Sequence, residues 1–420
     1  TDTANNIVGT SGADSINAIQ GEDFINGLGG ADIIYGGQGN DTLFQGTTAN
    51  STLLNGNQGN DSLTISASAA GATLYGGQGN DSLVQNGAVF TGGYASGDAG
   101  DDDFNFASVF GSTLSGGGTS GSLDGDESFV VASLSSSLIT GNGGNDIVNV
   151  TAGGLNSTIY GGAGNDFITA GNLFTSTLVR GDLGNDTLVL SSGSTFINAT
   201  TVYGDNTSTS GGSDSIVVTS GTNNISASLV IAGAGNDTVS VTATQLINTT
   251  VAGNGGNDMI TVTGSLITST VFGGAGNDTL SFSGTGISGG VIYADLGNDS
   301  IAGTVNSATV YGDNASGGGN DTINLTATSV YADGSVGNDS FAGTWNNSTL
   351  YGGQGNDTVA LAAGATTSRI YLDSGDDFFS GAAVTFAGNT ISGGDGNDTI
   401  SLAANASTIV GGSGNDSILL

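Results

Sequence analysis

The chain has 420 residues, 78 of them Gly and none of them Pro, Cys or His, and it sets 37 acidic side chains against two basic ones, Arg180 and Arg369, for a formal charge of −35. That balance excludes nucleic acid as a partner, because phosphate recognition needs a basic footprint, and it disfavours an anionic membrane surface. Imidazole, thiolate and lysine chemistry are excluded outright, while 36 % apolar residues leave enough surface for a core provided the acids are neutralised by bound counter-ions.

Thr1-Asp2-Thr3-Ala4-Asn5 has neither the basic region nor the apolar core of a signal peptide, and no apolar run reaches about 18 residues, so no membrane span is expected. Export is expected to use another address, or to follow removal of a leader. A secreted chain without disulfides needs another staple, and metal is the candidate.

From Asp14 onward an acid recurs. Asp14, Asp23, Asp32 and Asp41 stand nine residues apart. Nine residues make one strand and one turn, so residues 1–45 are expected to carry motif turns on both edges of coils of about 18 residues. Over residues 46–420 the step becomes about 18 to 22, a whole coil with one motif turn and one different turn. The acids there are Asp61, Asp81, Asp102, Glu127, Asp146, Asp166, Asp186, Asp214, Asp237, Asp258, Asp278, Asp299, Asp321, Asp339, Asp357, Asp377, Asp398 and Asp416. Longer steps into Glu127 and Asp214 mark insertions. The substitute turn is Asn/Ser-rich, as in Asn50-Ser51-Thr52-Leu53, Asn156-Ser157-Thr158-Ile159 and Asn347-Ser348-Thr349-Leu350.

Each motif acid opens a short alternating strand, such as Asp61-Ser62-Leu63-Thr64-Ile65 or Asp237-Thr238-Val239-Ser240-Val241. Period-two alternation places Leu63, Ile65, Leu188, Leu190, Val239 and Val241 inward. The second strand is expected to send Leu53, Leu74, Ile159, Leu178 and Leu350 inward, giving a narrow, ladder-like core. Tyr35, Tyr75, Tyr160, Tyr293, Tyr351 and Tyr371 lie six residues before a motif acid and are expected outside, with Thr52, Thr73, Thr158, Thr177, Thr270 and Thr349 beyond the inward residue. No helical period persists, and no linker separates domains. The expectation is an all-β chain, a parallel β-roll or β-solenoid of about 20 coils running continuously over 1–420, with motif turns stacked along one edge.

The turn itself reads Gly36-Gly37-Gln38-Gly39-Asn40-Asp41, Gly76-Gly77-Gln78-Gly79-Asn80-Asp81, Gly161-Gly162-Ala163-Gly164-Asn165-Asp166, Gly273-Gly274-Ala275-Gly276-Asn277-Asp278 and Gly352-Gly353-Gln354-Gly355-Asn356-Asp357. Ca²⁺ takes about six to eight hard oxygens, and a Gly-rich turn exposes carbonyls that no Cβ obstructs while the Asp adds charge. Stacked turns can therefore enclose an ion between successive coils. The metal positions expected are the motif Asp residues above, together with Gly37, Gly39, Gly77, Gly79, Gly162, Gly164, Gly274, Gly276, Gly353 and Gly355. About eighteen to twenty gaps, each with one divalent ion, would supply about +36 to +40, close to what the acids require. Ser122-Leu123-Asp124-Gly125-Asp126-Glu127 lacks the leading glycines and residues 205–214 carry an insertion, so those turns are expected to bind weakly or stay empty.

These turns resemble the haemolysin-type RTX repeat, a nonapeptide that forms a Ca²⁺-binding parallel β-helix. With roughly one Ca²⁺ per coil, the chain is expected to be disordered without calcium, because the acids then repel down one edge and each coil's core is too thin to compensate; the resemblance implies export unfolded through a type I secretion system and folding outside the cell. It also suggests kinship with bacterial surface-layer and oscillin-like repeat proteins. The function expected is a calcium-dependent extracellular structural subunit of a cell-surface layer, fibril or filament, self-associating end to end or side by side. The alternative is the stalk or ligand-binding segment of an RTX adhesin that takes surface glycan or ice. No catalytic residue is assigned: Asp103 and Asp376 read as turn variants, and Asp416-Ser417-Ile418-Leu419-Leu420 reads as a further repeat strand rather than a secretion signal.

Overall fold

Short alternating runs of Leu, Ile, Val, Phe and Thr closed by glycine turns can bury one side chain in two, and in this chain they do so as parallel strands stacked on copies of themselves. The structure is a computed structural model and describes residues 3–47, 50–117, 124–172, 174–193, 196–206, 211–314, 317–361, 365–381, 388–402 and 407–420. Every described regular element is a strand. The chain forms two compact units, Thr1–Thr207 and Ser208–Leu420, each a parallel β-solenoid.

In the first unit the strand that follows each motif acid pairs in register with its counterpart one coil on. Phe24–Asn26, Thr42–Gln45, Ser62–Ile65, Ser82–Gln85, Asp103–Phe110 and Ser128–Ser135 form one such run. The strand that leads into each turn forms the facing sheet, from Ser15–Asn17 and Ile33–Gln38 through Leu53–Gln58 and Thr73–Gln78 to Thr201–Asp205. Register stacks apolar on apolar: Ile25, Leu43, Leu63, Leu83, Phe104 and Phe129 make one buried ladder, and Ile34, Leu54, Leu74, Ala95, Leu114, Ile139 and Ile159 the other. Phe104 and Phe129 stack at 4.4 Å, and Phe90 meets Phe106 edge-on at 5.1 Å.

The second unit repeats this plan, with Ser215–Thr219, Thr238–Ile247, Met259–Ile267 and Thr279–Ser288 on one sheet and Leu229–Ala234, Thr250–Gly255 and Thr270–Ala275 on the other. Its strands after the acid reach ten residues, longer than the short strands the sequence suggests, because the strand continues through a bulge into the far edge. Trp345 is fully buried against Phe341.

Two inward assignments need correction. Leu53 and Leu178 are only half-buried, and the core positions belong to Leu54 and Val179. The inward residue lies two before the first motif glycine, which shifts the pair by one. Thr52 and Thr177 shift with them and are buried, each hydroxyl donating to a carbonyl, Gly30 at 3.2 Å and Gly154 at 2.7 Å. Leu74, Ile159 and Leu350 face inward as expected, and the six tyrosines named above are half-exposed.

Candidate metal centres

The motif turn is built around glycines at its second and fourth positions. Gly37, Gly77, Gly162, Gly274 and Gly353 have φ from 111° to 126°, and Gly39, Gly79, Gly164, Gly276 and Gly355 from 119° to 135°, a region that side chains resist. Each also lies against a carbonyl of the preceding coil; a Cβ on Gly37 would strike the Ile19 oxygen and one on Gly39 the Gly21 oxygen.

These turns bring the motif acids into a column. The backbone N–H at one acid donates to Oδ1 of the acid in the next coil: Asp41 to Asp61 at 2.6 Å, Asp61 to Asp81 at 2.7 Å and Asp146 to Asp166 at 2.8 Å. In the second unit Asp214 donates to Asp237 at 2.7 Å, Asp258 to Asp278 at 2.8 Å and Asp398 to Asp416 at 3.1 Å. The Asn residues one position earlier form a counter-running ladder, as in Asn60 to Asn40 at 2.8 Å and Asn338 to Asn320 at 2.7 Å. Asp376 occupies an Asn position in that ladder, accepting from Asn397 at 2.7 Å, and Asp103 lies exposed on a strand.

One carboxylate oxygen is thereby used and the other is not. Oδ2 of Asp41, Asp61, Asp81, Asp102, Asp166, Asp258, Asp278, Asp339 and Asp357 is buried without a hydrogen-bond partner, and Asp102 is 1 % exposed. An orphaned anionic oxygen in a buried turn is costly unless a cation meets it. A Cβ added to Gly56 would collide with Asp61 Oδ2 and with the carbonyl of Gly76 in the next coil, and Gly36, Gly76, Gly161 and Gly334 show the same pairing. The first motif glycine, absent from the expected set, is thus the residue that keeps carboxylate and carbonyl open to one another.

The electrostatics agree. Burial, partly offset by the accepted N–H and reinforced by neighbouring acids, pushes the carboxyls of Asp102, Asp166, Asp299 and Asp339 up to about 8. Asp81, Asp321 and Asp357 rise to about 7 for the same reasons. Among the described residues no three acidic side chains converge on one point, so a cation here would take most of its oxygens from backbone. All the available donors are hard oxygens, with no nitrogen or sulfur ligand, and they fit Ca²⁺.

The second edge carries a similar backbone-to-side-chain ladder with neutral acceptors. Asp14 donates to Asp32 at 2.8 Å, after which the same place is taken by neutral groups. Gly93 donates to Ser112 Oγ at 3.0 Å and Ser112 to Ser137 Oγ at 3.2 Å. In the second unit Val330 donates to Ser348 Oγ at 3.1 Å and Ser348 to Ser368 Oγ at 3.1 Å. A hydroxyl does the work of Oδ1 and brings no second, charged oxygen.

The chain matches the RTX calcium-binding nonapeptide repeat (4 copies) family over residues 1–18, 8–43, 71–84, 140–172, 269–284, 333–368 and 385–418. No curated protein matches its sequence. Matched segments fall in both units and contain Asp41, Asp81, Asp166, Asp278 and Asp357 with their glycines. The chain therefore carries the RTX calcium-binding nonapeptide repeat in multiple copies on parallel β-solenoid coils.

Proposed function

We propose that this protein is a calcium-dependent extracellular structural protein, a subunit of a cell-surface layer, fibril or filament, exported by a type I route and folded by Ca²⁺ outside the cell. The observation that carries the reading is the column of buried carboxylates, in which Oδ2 of acids such as Asp61, Asp102, Asp166 and Asp357 has no hydrogen-bond partner. Roughly one ion per coil, bound by the motif Asp residues and turn carbonyls, would join neighbouring coils. Within each unit so many cation-dependent joints favour a role in rigidity over one in turnover. A circular-dichroism titration tests the dependence: sheet signal should appear with Ca²⁺ and vanish with EGTA. Electron microscopy of the Ca²⁺-loaded protein should show side-by-side or end-to-end assemblies, and strictly monomeric particles at high concentration would remove the lattice or filament reading.

The adhesin alternative is favoured by one surface. In the second unit the outward rows Thr238/Ser240/Thr242, Met259/Thr261/Thr263 and Thr279/Ser281/Ser283 stack in register and carry no charge in a strongly acidic chain. Such a face suits a neutral, hydroxyl-rich partner such as glycan or ice. The tyrosine face suits one less well, because Phe272, Tyr293 and Tyr311 stack on one another at 5.3 and 5.0 Å and cover their own ring faces. Glycan-array and ice-recrystallisation assays separate the two readings.

A further inference from the structure

Three motif turns are lengthened in sequence, those that close on Glu127, Asp214 and Asp321, and in the first and the last an added carboxylate keeps an oxygen buried without a hydrogen-bond partner. Those two set a second carboxylate beside the motif acid. Asp313, 2 % exposed, accepts from Gly319 N–H at 3.1 Å through Oδ2, while its Oδ1 is buried and unpartnered. The residue before it, Gly312, holds Asp321 Oδ2 and the Gly334 carbonyl where its Cβ would be. In the other turn, Glu127 is 1 % exposed and neither of its oxygens has a hydrogen-bond partner. Gly116 holds Glu127 Oε2 and the Gly141 carbonyl, and the adjacent Gly117 holds the Asp124 carboxylate, whose Oδ1 is also buried and unpartnered.

Ordinary turns differ in a specific way. Asp98, Asp182 and Asp295 also follow a first-position residue of a turn, but with φ of 77°, 85° and 78°. Their carboxylates meet the Ser96 hydroxyl, the Arg180 guanidinium and the Asn314 amide respectively. Asp313 lacks that left-handed backbone, and although the Gly319 and Val336 backbone N–H groups face its carboxylate, Oδ1 stays buried without a hydrogen bond.

We propose that two of the lengthened turns form a second class of calcium site, with paired carboxylates Asp313 and Asp321 in one and Asp124 and Glu127 in the other, that binds Ca²⁺ more tightly than the single-acid repeat sites. The inference rests on the calcium reading above and deepens it, since affinity in oxygen sites rises with ligand charge. It also reverses the expectation that the Glu127 turn binds weakly.

The test is a Ca²⁺ titration of the full chain against a chromophoric chelator, with Asp313→Asn, Asp124→Asn and Asp373→Asn as variants. Asn at 313 still accepts from Gly319, so the turn keeps its hydrogen bond while losing the charge. The expected result is a tight class at least tenfold stronger than the remainder, reduced by one ion in D313N, by one ion in D124N, and unchanged in D373N. A second measurement needs no variant: on rapid mixing of wild-type protein with excess chelator, a slow minority of ions should leave last. A single affinity class with a single release phase overturns the inference while leaving calcium binding intact. Absence of any Ca²⁺ binding by the wild type would instead sink the underlying reading.

Discussion

At Asp166 two functions share one side chain. Oδ1 accepts the Asp146 N–H at 2.8 Å and Oδ2 faces the cradle at Gly161. The two separate by substitution. Asp166→Asn keeps an acceptor for the backbone and loses the anion, so at saturating Ca²⁺ one bound ion should disappear with modest loss of stability. Asp166→Ala additionally strands the buried N–H, which costs about 1–3 kcal/mol more. Calcium stoichiometry together with denaturant unfolding checks both, and equal stability of the two variants would contradict the division of labour. Gly161→Ala should remove the same ion by a different route, since its Cβ would displace Asp166 Oδ2 and the Gly181 carbonyl.

At the scale of the turn, the two edges of a coil use one hydrogen-bonding scheme with and without charge. Ser348 accepts from Val330 and donates to the Asn346 carbonyl at 2.8 Å, so Ser348→Ala should destabilise the loaded protein by about 1–3 kcal/mol and leave the number of bound Ca²⁺ unchanged. Calorimetric stoichiometry alongside thermal unfolding decides it; a lost ion would mean that this edge also binds metal. Much of this layout is legible in the sequence. Nine-residue spacing gives the two-edged start, the doubled period gives the one-edged continuation, and Asp-Ser-Leu-Thr-Ile alternation gives the inner face. Register in the Leu53-Leu54 and Leu178-Val179 pairs is not legible by alternation alone, because either neighbour satisfies a period of two. Counting back two residues from the first motif glycine resolves both. The split between Oδ1 and Oδ2 is invisible in sequence, since it arises only when one coil lies on the next, and so is the inward turn of Asp313.

For the whole chain, protons and calcium compete for the same oxygens, and the direction of that competition is fixed. Burial, reinforced by neighbouring acids, pushes the carboxyls of Asp102, Asp166, Asp299 and Asp339 up to about 8, against an ordinary value of 3.8. Between those values the folded chain holds protons that the unfolded chain has released, so without calcium its stability falls as pH rises through this window. Acid should therefore replace calcium in part. In metal-free buffer the chain is expected to be unfolded at pH 8 and to gain sheet content and resistance to denaturant as the pH is lowered toward about 4, where carboxylates in both states become protonated. With excess Ca²⁺ the dependence reverses, because binding expels those protons and acidification below about pH 6 then weakens the fold. Far-UV circular dichroism and urea unfolding across pH, with and without Ca²⁺, measure both slopes. If the metal-free protein instead became more stable on going from pH 5 to pH 8, the buried acids would have to be satisfied by something other than a cation, and calcium would lose its place as the link between successive coils.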